Sequence, residues 1–373
     1  MRSRSPEEEH RASTPLELFF DLVFVIAVAQ AAARLHHSIV EAHIIEGVIS
    51  YGMVFFAIWW AWMNFTWFAS AYDTDDVPYR LAVFVQMTGA LILAVGVPSA
   101  FNAHDFTIVT MGYVVMRLAL VGQWLRAARS DPPRRTTAYR FAIGVTLCQI
   151  GWIILLFFPS MGWGFALMTL AELLVPIWAE RAAPTRWHPD HITERYGLFT
   201  IIVLGELVLS TSMAIQSALE TSHLNADLVF IIVGGLLIVY SMWWLYFNQP
   251  EDPLLSSLRM AFVWGYSHLF VFASVAAVGA GLAATIDHTL HHSEIGSMMA
   301  GAAVAIPVTI YLFSLWILHS PFHSGNFFHM FLLPTAALLI LLTPLTGQPV
   351  LAIGITLGTL LTIKLVNRYR SPV

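Results

Sequence analysis

The first hydrophobic segment of the chain reads Leu16-Glu-Leu-Phe-Phe-Asp-Leu-Val-Phe-Val-Ile-Ala-Val-Ala-Gln-Ala-Ala-Ala-Arg-Leu35. A hydrocarbon core about 30 Å thick needs about 20 predominantly apolar residues at a helical rise of 1.5 Å, so this segment is long enough to cross a bilayer. Of the 373 residues, 58 % are hydrophobic and 11 % are charged, whereas soluble domains carry roughly one quarter charged residues. The sequence therefore predicts an all-α, polytopic bundle of transmembrane helices.

Similar segments follow along nearly the whole chain, separated by short polar breaks. The predicted spans are 16–35, 44–69, 79–98, 105–126, 138–158, 161–180, 194–217, 227–247, 259–285, 296–318, 326–345 and 349–367. Sixteen of the 18 Lys and Arg residues lie on one side of these spans, and Arg34 alone reaches the other side. By the positive-inside rule the basic side is cytoplasmic. We therefore expect a multi-pass protein of the cell inner (plasma) membrane with both termini in the cytoplasm.

A shift of about 180 positions aligns several features of the two halves of the chain. Leu18-Phe19 then falls on Leu198-Phe199, and Arg80 falls on Arg259. The segment 1–14 is polar and is expected to lie in the cytoplasm. The matches predict two six-helix repeats, over 15–181 and 182–373, which share one orientation because six is an even number. The alternative is a chance recurrence of the aromatic and acidic residues that are common at membrane interfaces.

Several motifs occur in one order along most of the chain. They are Glu17-Leu-Phe-Phe-Asp-Leu-Val-Phe-Val-Ile-Ala-Val28, Tyr72-Asp-Thr-Asp-Asp76, His191-Ile-Thr-Glu-Arg-Tyr-Gly-Leu-Phe-Thr-Ile-Ile-Val-Leu-Gly-Glu206, Trp243-Trp-Leu-Tyr-Phe247 and Trp264-Gly-Tyr-Ser-His268. In these motifs the chain resembles the bacterial low-temperature-requirement A (LtrA) family. That family is named for a growth phenotype, so the resemblance implies a membrane protein and leaves the molecular activity open.

A second resemblance concerns the start of the first span. Phe19-Phe20-Asp21 is similar to the Phe-Ser-Asp motif that opens the first helix of the lysosomal potassium and proton channel family, which also uses six-helix repeats. That family has an Arg four residues before the Phe, and the seventh span keeps this spacing between Arg195 and Phe199 but has Ile201 in place of the Asp. The resemblance implies a pore lined by spans one and seven, with Phe19, Ile26 and Phe199 as candidate lining residues.

Ionisable side chains inside the predicted spans are the main functional signal. A carboxylate at the bilayer centre costs on the order of 2.5–3.5 kcal/mol, so each one needs a partner or a wet cavity. Asp21 and Glu172 lie at about the depth of Arg117, and a buried ion pair of Arg117 with either carboxylate is the simplest arrangement. Glu206 lies deepest and has no basic residue at its level.

These positions lead to two sets of candidate residues. Asp21, Glu172, Glu206 and His268 are predicted to handle protons or cations, although His268 also fits a hydrogen-bonded core position. Glu17, Arg117, Glu194 and Arg195 are predicted to form structural ion pairs or a gate.

Polar loops and aromatic pairs have simpler interpretations. Asp73, Asp75 and Asp76 form an acidic turn that is expected to cap a helix and pair with Arg80, with a divalent ion as the alternative. The His288-x-x-His291-His292 run is expected to be a solvated loop, because nothing supplies a tetrahedral ligand set. The tryptophans of the second and eighth spans are expected to form interfacial belts or packing contacts.

Transport or ion permeation is the function that this pattern favours, with protons, cations or a small molecule as substrate and the lipid bilayer as solvent. The alternatives are a sensor or assembly protein linked to growth in the cold, and a membrane-embedded enzyme that acts on lipid. We find no nucleotide-binding or hydrolase motif such as GxGxxG, GxxxxGK[ST], HExxH or GxSxG. We expect no cofactor, no bound metal, no nucleic-acid partner and no classical nucleotide chemistry, and a homo-oligomer is compatible with the sequence. A non-enzymatic function is favoured over an enzymatic one, which stays open as the lipid-modifying alternative.

Overall fold

A computed structural model describes residues 4, 8, 11–158, 162–221, 225–248, 257–319 and 327–370, so most of the predicted segment 1–14 lies outside the described residues. The described residues form twelve α-helices and no strands. They are α1 (Pro15–Val40), α2 (Ile44–Tyr72), α3 (Val77–Asn102), α4 (Thr107–Ser130), α5 (Arg135–Leu155), α6 (Gly162–Glu180), α7 (Pro189–Thr221), α8 (Ala226–Phe247), α9 (Leu258–Thr289), α10 (Ser297–His319), α11 (Phe327–Ile340) and α12 (Pro349–Arg370). The predicted all-α membrane-helix class is confirmed.

Eleven of the described helices are long and apolar enough to cross a membrane. The exception is α11, where the sequence predicted a span over 326–345. This helix has 14 residues, which is about 21 Å at 1.5 Å per residue and short of a 30 Å core. The chain leaves the α-helix after Ile340, and Thr343–Leu345 form a 3₁₀ turn that contains Pro344, whose missing N–H and fixed φ disfavour a longer α-helix.

The chain divides into two compact units, each built from more than one stretch of sequence. Unit 1 comprises Met1–Gln30 and Met53–Tyr196, and unit 2 comprises Ala31–Gly52 and Gly197–Val373. The predicted division into two repeats over 15–181 and 182–373 stays a prediction.

Neighbouring helices of unit 1 pack in chain order, α3 on α4, α4 on α5 and α5 on α6. At the α3–α4 contact, Gly89 and Gly112 face each other so closely that a Cβ at Gly89 would lie 2.6 Å from the carbonyl oxygen of Gly112. Small residues of this kind let helix backbones approach closely within a membrane. On α4, the ring of Trp124 stacks on Phe141 of α5 with centroids 4.2 Å apart.

Unit 2 is built around α9, which is largely buried and packs against α10. The same close approach recurs here, because a Cβ at Gly281 would collide with the backbone of Ala303 on α10. Helix α8 packs against α12, and a Cβ at Gly234 would lie 2.6 Å from the Val350 carbonyl oxygen. The hydroxyl of Tyr311 donates to the Met242 carbonyl at 2.6 Å, so α10 is also tied to α8.

The acidic turn before α3 acts as a helix cap and a charge partner, as predicted. Asp76 is the N-cap residue, and its Oδ1 accepts the backbone N–H of Tyr79 at 3.0 Å. Asp75 pairs with Arg80 at 2.6 Å. The sequence did not predict that Asp76 also receives both terminal nitrogens of Arg126 on α4.

The Asp76 carboxylate is expected to make stability depend on pH. Hydrogen bonds from Arg126 lower the pKa of Asp76 to about 2 from its ordinary 3.8. A carboxylate with a depressed folded-state pKa stabilises the fold at neutral pH, and this contribution is lost as the pH falls from about 4 to about 2. Because the pair is partly exposed, its loss should cost no more than about 1 kcal/mol.

Two variants of Asp76 separate the charge from the cap. Asp76→Asn keeps a good N-cap residue but has no carboxylate to titrate at this position. Its melting temperature should therefore fall less than that of the wild type as the pH falls from about 4 to about 2. Asp76→Ala should cost about 1 kcal/mol more at neutral pH because the cap is lost as well. Equal pH dependence in the wild type and Asp76→Asn would refute the assignment.

Candidate functional site

The first helix begins with a reciprocal cap that fixes the Glu17 side chain. Glu17 Oε2 accepts the backbone N–H of Thr14 at 2.8 Å, and Thr14 Oγ1 accepts the backbone N–H of Glu17 at 3.3 Å. This is the capping-box arrangement, in which Thr or Ser at the N-cap position and Glu three residues later satisfy the first free N–H groups of a helix. The Glu17 carboxylate is thereby held at the start of α1, one turn before Asp21.

Arg195 of α7 lies against both carboxylates of α1. Its Nη2 donates to Asp21 Oδ1, and its Nη1 lies 3.5 Å from Glu17 Oε1. The side chains of Arg195 and Asp21 are fully buried, and that of Glu17 is 1 % exposed. One guanidinium therefore serves two carboxylates that are withdrawn from solvent.

Two further side chains complete the contacts of these carboxylates. His191 lies one turn before Arg195 on α7 and is fully buried, with its Nε2 3.1 Å from Glu17 Oε1. On α2, Trp62 donates its indole N–H to Asp21 Oδ1 at 2.7 Å. We call Glu17, Asp21, His191 and Arg195 the α1–α7 cluster.

Two further buried charged residues, Arg11 and Asp73, are near enough to the α1–α7 cluster to be influenced by its charges. Arg11 is 4 % exposed and donates to the carbonyl groups of Ala69 and Ser70, which lie in the last turn of α2. The electrostatic influence of Glu17 reaches both Arg11 and Asp73. Burial raises the pKa of Asp73, and the charge of Glu17 raises it further, although Arg11 opposes this shift.

The charges in and around the cluster do not balance when every carboxylate is ionised and His191 is neutral. The buried groups then comprise three carboxylates (Glu17, Asp21 and Asp73) and two guanidiniums (Arg11 and Arg195). The partly exposed Arg4 and Glu8 also act on Arg11, but they pair with each other and add no net charge. An uncompensated charge is expensive in a buried site. One more positive charge, in the form of a proton or a monovalent cation, balances the group.

The hydrogen bonds indicate which carboxylate takes that proton. Each carboxylate accepts its hydrogen bonds on one oxygen, Glu17 on Oε2 and Asp21 on Oδ1. Glu17 Oε1 has no hydrogen bond either, but His191 Nε2 and Arg195 Nη1 lie 3.1 and 3.5 Å from it. Asp21 Oδ2 is buried without a hydrogen-bond partner among the described residues, as is the hydroxyl of Tyr79. Nearby positive charge favours the ionised form of a carboxylate, so of the two carboxylates that Arg195 contacts, Asp21 has the oxygen better placed to take a proton.

A separate buried ion pair joins α4 and α6. Arg117 Nη2 donates to Glu172 Oε2 at 3.1 Å, and both side chains are at most 4 % exposed. Trp60 of α2 donates to Glu172 Oε2 at 2.8 Å, and Trp152 of α5 donates to Oε1 at 3.1 Å. The sequence offered Asp21 and Glu172 as partners of Arg117, and the structure pairs Arg117 with Glu172.

Two tryptophans of α2 make the expected packing contacts, Trp60 with Phe56 and Trp62 with Tyr196, and in addition donate to these carboxylates. Trp60 and Trp62 are fully buried. Because side chains two residues apart on a helix point in different directions, one indole reaches Glu172 and the other reaches Asp21. A buried indole N–H needs an acceptor, and each carboxylate provides one.

The predicted residues of unit 2 have different surroundings. His268 is buried, its Nδ1 lies 2.7 Å from the Trp264 carbonyl oxygen, and its Nε2 lies 3.0 Å from the Tyr246 hydroxyl. Both ring nitrogens are therefore engaged, as in a hydrogen-bonded core histidine. Glu206 is partly exposed on α7, and no hydrogen bond or ion pair to it occurs among the described residues.

The remaining predicted residues lie on both exposed and buried surfaces. Phe19 and Ile26 of α1 are 52 % and 45 % exposed, whereas Phe199 is buried against Phe272. Glu194 is half-buried, and its carboxylate accepts the backbone N–H of Ser13 at 3.2 Å. A pore role for the first three and a gating role for Glu194 stay predictions. Within the described residues, no group of three or more His, Cys, Asp or Glu side chains is placed to hold a metal ion.

Three members of the site were not singled out from the sequence, although signals for two of them are present. Thr14-x-x-Glu17 before an apolar run has the spacing of a capping box. His191 lies four residues before Arg195, which places both on one face of a helix. No local pattern indicates that Trp62 contacts Asp21, because that contact joins separate helices.

Comparison with known proteins places the chain in a family. The family model for the bacterial low temperature requirement A protein matches residues 12–364. The chain is also similar to an uncharacterized protein of Rhizobium meliloti (strain 1021), with 28 % identity over 306 residues that cover 75 % of this chain and 71 % of that protein. The chain therefore belongs to the bacterial low temperature requirement A (LtrA) family.

Proposed function

We propose that this protein moves protons or monovalent cations across the membrane and that Asp21 is the group that binds and releases them. The observation that carries the proposal is the charge imbalance around the α1–α7 cluster, where the buried groups comprise three carboxylates and two guanidiniums. Ionisable groups inside membrane proteins mark ion pathways and proton relays because their burial is otherwise costly.

In this proposal Arg195 couples the protonation of Asp21 to the contact between α1 and α7. When Asp21 is ionised, it pairs with the Arg195 guanidinium. When Asp21 takes a proton, the charged pair is lost and Arg195 is left with Glu17, whose Oε1 lies 3.5 Å away. Each proton bound or released therefore changes the attraction between α1 and α7, a local charge change of the kind that biases two-state elements.

The cluster also fits the orientation that the basic residues predict. Glu17 and His191 lie near the starts of α1 and α7. We propose that these ends face the cytoplasm, that both termini are cytoplasmic, and that the protein lies in the cell inner membrane. In this orientation the cluster exchanges protons or cations with the cytoplasm.

Flux through purified protein in liposomes tests the proposal. We expect wild-type protein to carry protons or K⁺ down an imposed gradient, as recorded by an entrapped pH-sensitive dye and a K⁺ electrode. Asp21→Asn cannot exchange a proton, so its flux should fall to the level of protein-free liposomes. Gel filtration and thermal unfolding then establish that the variant is folded.

Asp131→Asn is the matched control. Asp131 is also buried in unit 1 and accepts hydrogen bonds from Tyr72 at 3.1 Å and Arg134 at 3.4 Å, but it lies outside the cluster. It should lose stability without losing flux. Wild-type liposomes that carry neither ion over a range of pH and voltage, or a folded Asp21→Asn that conducts like the wild type, would refute the proposal.

A further inference from the structure

Unit 1 contains a cavity of about 580 Å³ that is separate from the α1–α7 cluster. The α3–α4 loop, the end of α5 and the beginning of α6 line it, together with residues of α2 and α4. Its volume lies within the range of about 300–1,000 Å³ that is typical of small-molecule sites. Six aromatic side chains form much of the lining, namely Phe56, Phe106, Tyr113, Trp152, Phe158 and Phe165.

The polar atoms of two lining aromatics are already engaged. Tyr113 donates its hydroxyl to the Ala57 carbonyl at 2.6 Å, and Trp152 donates its indole N–H to Glu172 at 3.1 Å. These bonds fix the two rings and leave their π-faces, rather than their donors, as recognition surfaces. A π-face carries negative charge and attracts cations, and the Arg117 guanidinium already lies 5.1 Å from the Tyr113 ring centroid.

The charged group of the cavity lining is acidic. Asp105 lies exposed in the α3–α4 loop, and no Lys or Arg is among the described lining residues. Hydrogen bonds from the Thr107 side chain and backbone N–H lower the pKa of Asp105, so this carboxylate is ionised at neutral pH.

From this combination we propose that the cavity binds a lipophilic organic cation, with its apolar groups against the aromatic walls and its positive charge towards Asp105. Aromatic rings with an adjacent carboxylate recognise organic cations through cation–π and Coulomb attraction. The site uses none of the residues of the α1–α7 cluster. Binding of an organic cation in this cavity can therefore be tested independently of the proposed transport function.

Isothermal titration calorimetry with two probes of matched shape tests the charge preference. Tetraphenylphosphonium and tetraphenylborate are similar in size and opposite in charge. We expect the phosphonium to bind to detergent-solubilised protein, after subtraction of an empty-micelle blank, and the borate to bind at least about tenfold more weakly. Equal affinity for both probes, or tighter binding of the borate, would overturn the proposal.

Variants test whether the binding site is the cavity. Phe165→Leu keeps an apolar side chain but removes a π-face and should weaken phosphonium binding roughly 2- to 30-fold. Asp105→Asn should also weaken it, whereas Asp75→Asn removes an exposed carboxylate at the opposite end of α3 and should not. Asp21→Asn should bind as the wild type does. Wild-type affinity in both Phe165→Leu and Asp105→Asn would contradict the assignment, and thermal unfolding establishes that each variant is folded.

Discussion

Arg195→Gln is expected to lower the free energy of unfolding by about 3–5 kcal/mol, because it leaves the buried carboxylates of Glu17 and Asp21 without their shared guanidinium. Thermal unfolding of the purified protein in detergent measures the loss. Arg195→Lys should fall between the wild type and Arg195→Gln, since an ammonium keeps the charge but cannot reach both carboxylates with a planar fork.

The double variant Asp21→Asn/Arg195→Gln distinguishes a charge effect from a loss of packing. It removes one charge of each sign and leaves Glu17 with its Thr14 cap and its His191 contact. It should therefore be more stable than Arg195→Gln alone. If the effects of the two single substitutions simply add, the two side chains are not coupled, and the proposed ion pair is wrong.

Gly89→Ala is expected to destabilise the protein by about 1–3 kcal/mol through overpacking. The added Cβ would lie 2.6 Å from the Gly112 carbonyl oxygen and 2.9 Å from the Met116 backbone nitrogen. Neither backbone atom can turn away as a flexible side chain does, so α3 and α4 must move apart along their contact.

Gly122→Ala on α4 is the matched control. Its added Cβ has nothing within 4 Å, and Ala favours a helix over Gly by up to about 1 kcal/mol. We expect an unchanged or slightly higher melting temperature for Gly122→Ala and a lower one for Gly89→Ala. Similar values for the two variants would show that the close approach of α3 and α4 does not contribute to stability.

The helices themselves could be predicted because hydrocarbon length and backbone hydrogen bonding leave few alternatives. The segment 44–69 became α2, Ile44–Tyr72, and 259–285 became α9, Leu258–Thr289. Helix ends extend beyond the predicted spans because polar and aromatic residues can continue a helix past the apolar core. In the segment 326–345 the described α-helix ends at Ile340, five residues before the predicted end, because hydropathy does not register the 3₁₀ turn around Pro344.

The site was predicted in part, because position along a helix gives depth but not the identity of the neighbouring helix. Depth placed Asp21, Glu172 and Arg117 at one level, which left two possible ion pairs. The choice depends on tertiary contacts over long sequence separations, such as Asp21 with Arg195, 174 residues apart. The same reason explains why the indole partners of the two carboxylates, Trp60 and Trp62, were not predicted.

The protonation state of Asp21 is the most direct test of the central claim, which is that this residue carries the exchangeable proton of the α1–α7 cluster. Infrared difference spectra of the purified protein at high and low pH report the C=O stretch of protonated carboxyl groups. The other acidic residues contribute carboxyl bands of their own at low pH. Beside these we predict a pH-dependent band of Asp21 that is present in the wild type, absent in Asp21→Asn and retained in Asp131→Asn. A spectrum without such a band, or a band that persists unchanged in Asp21→Asn, would contradict the account.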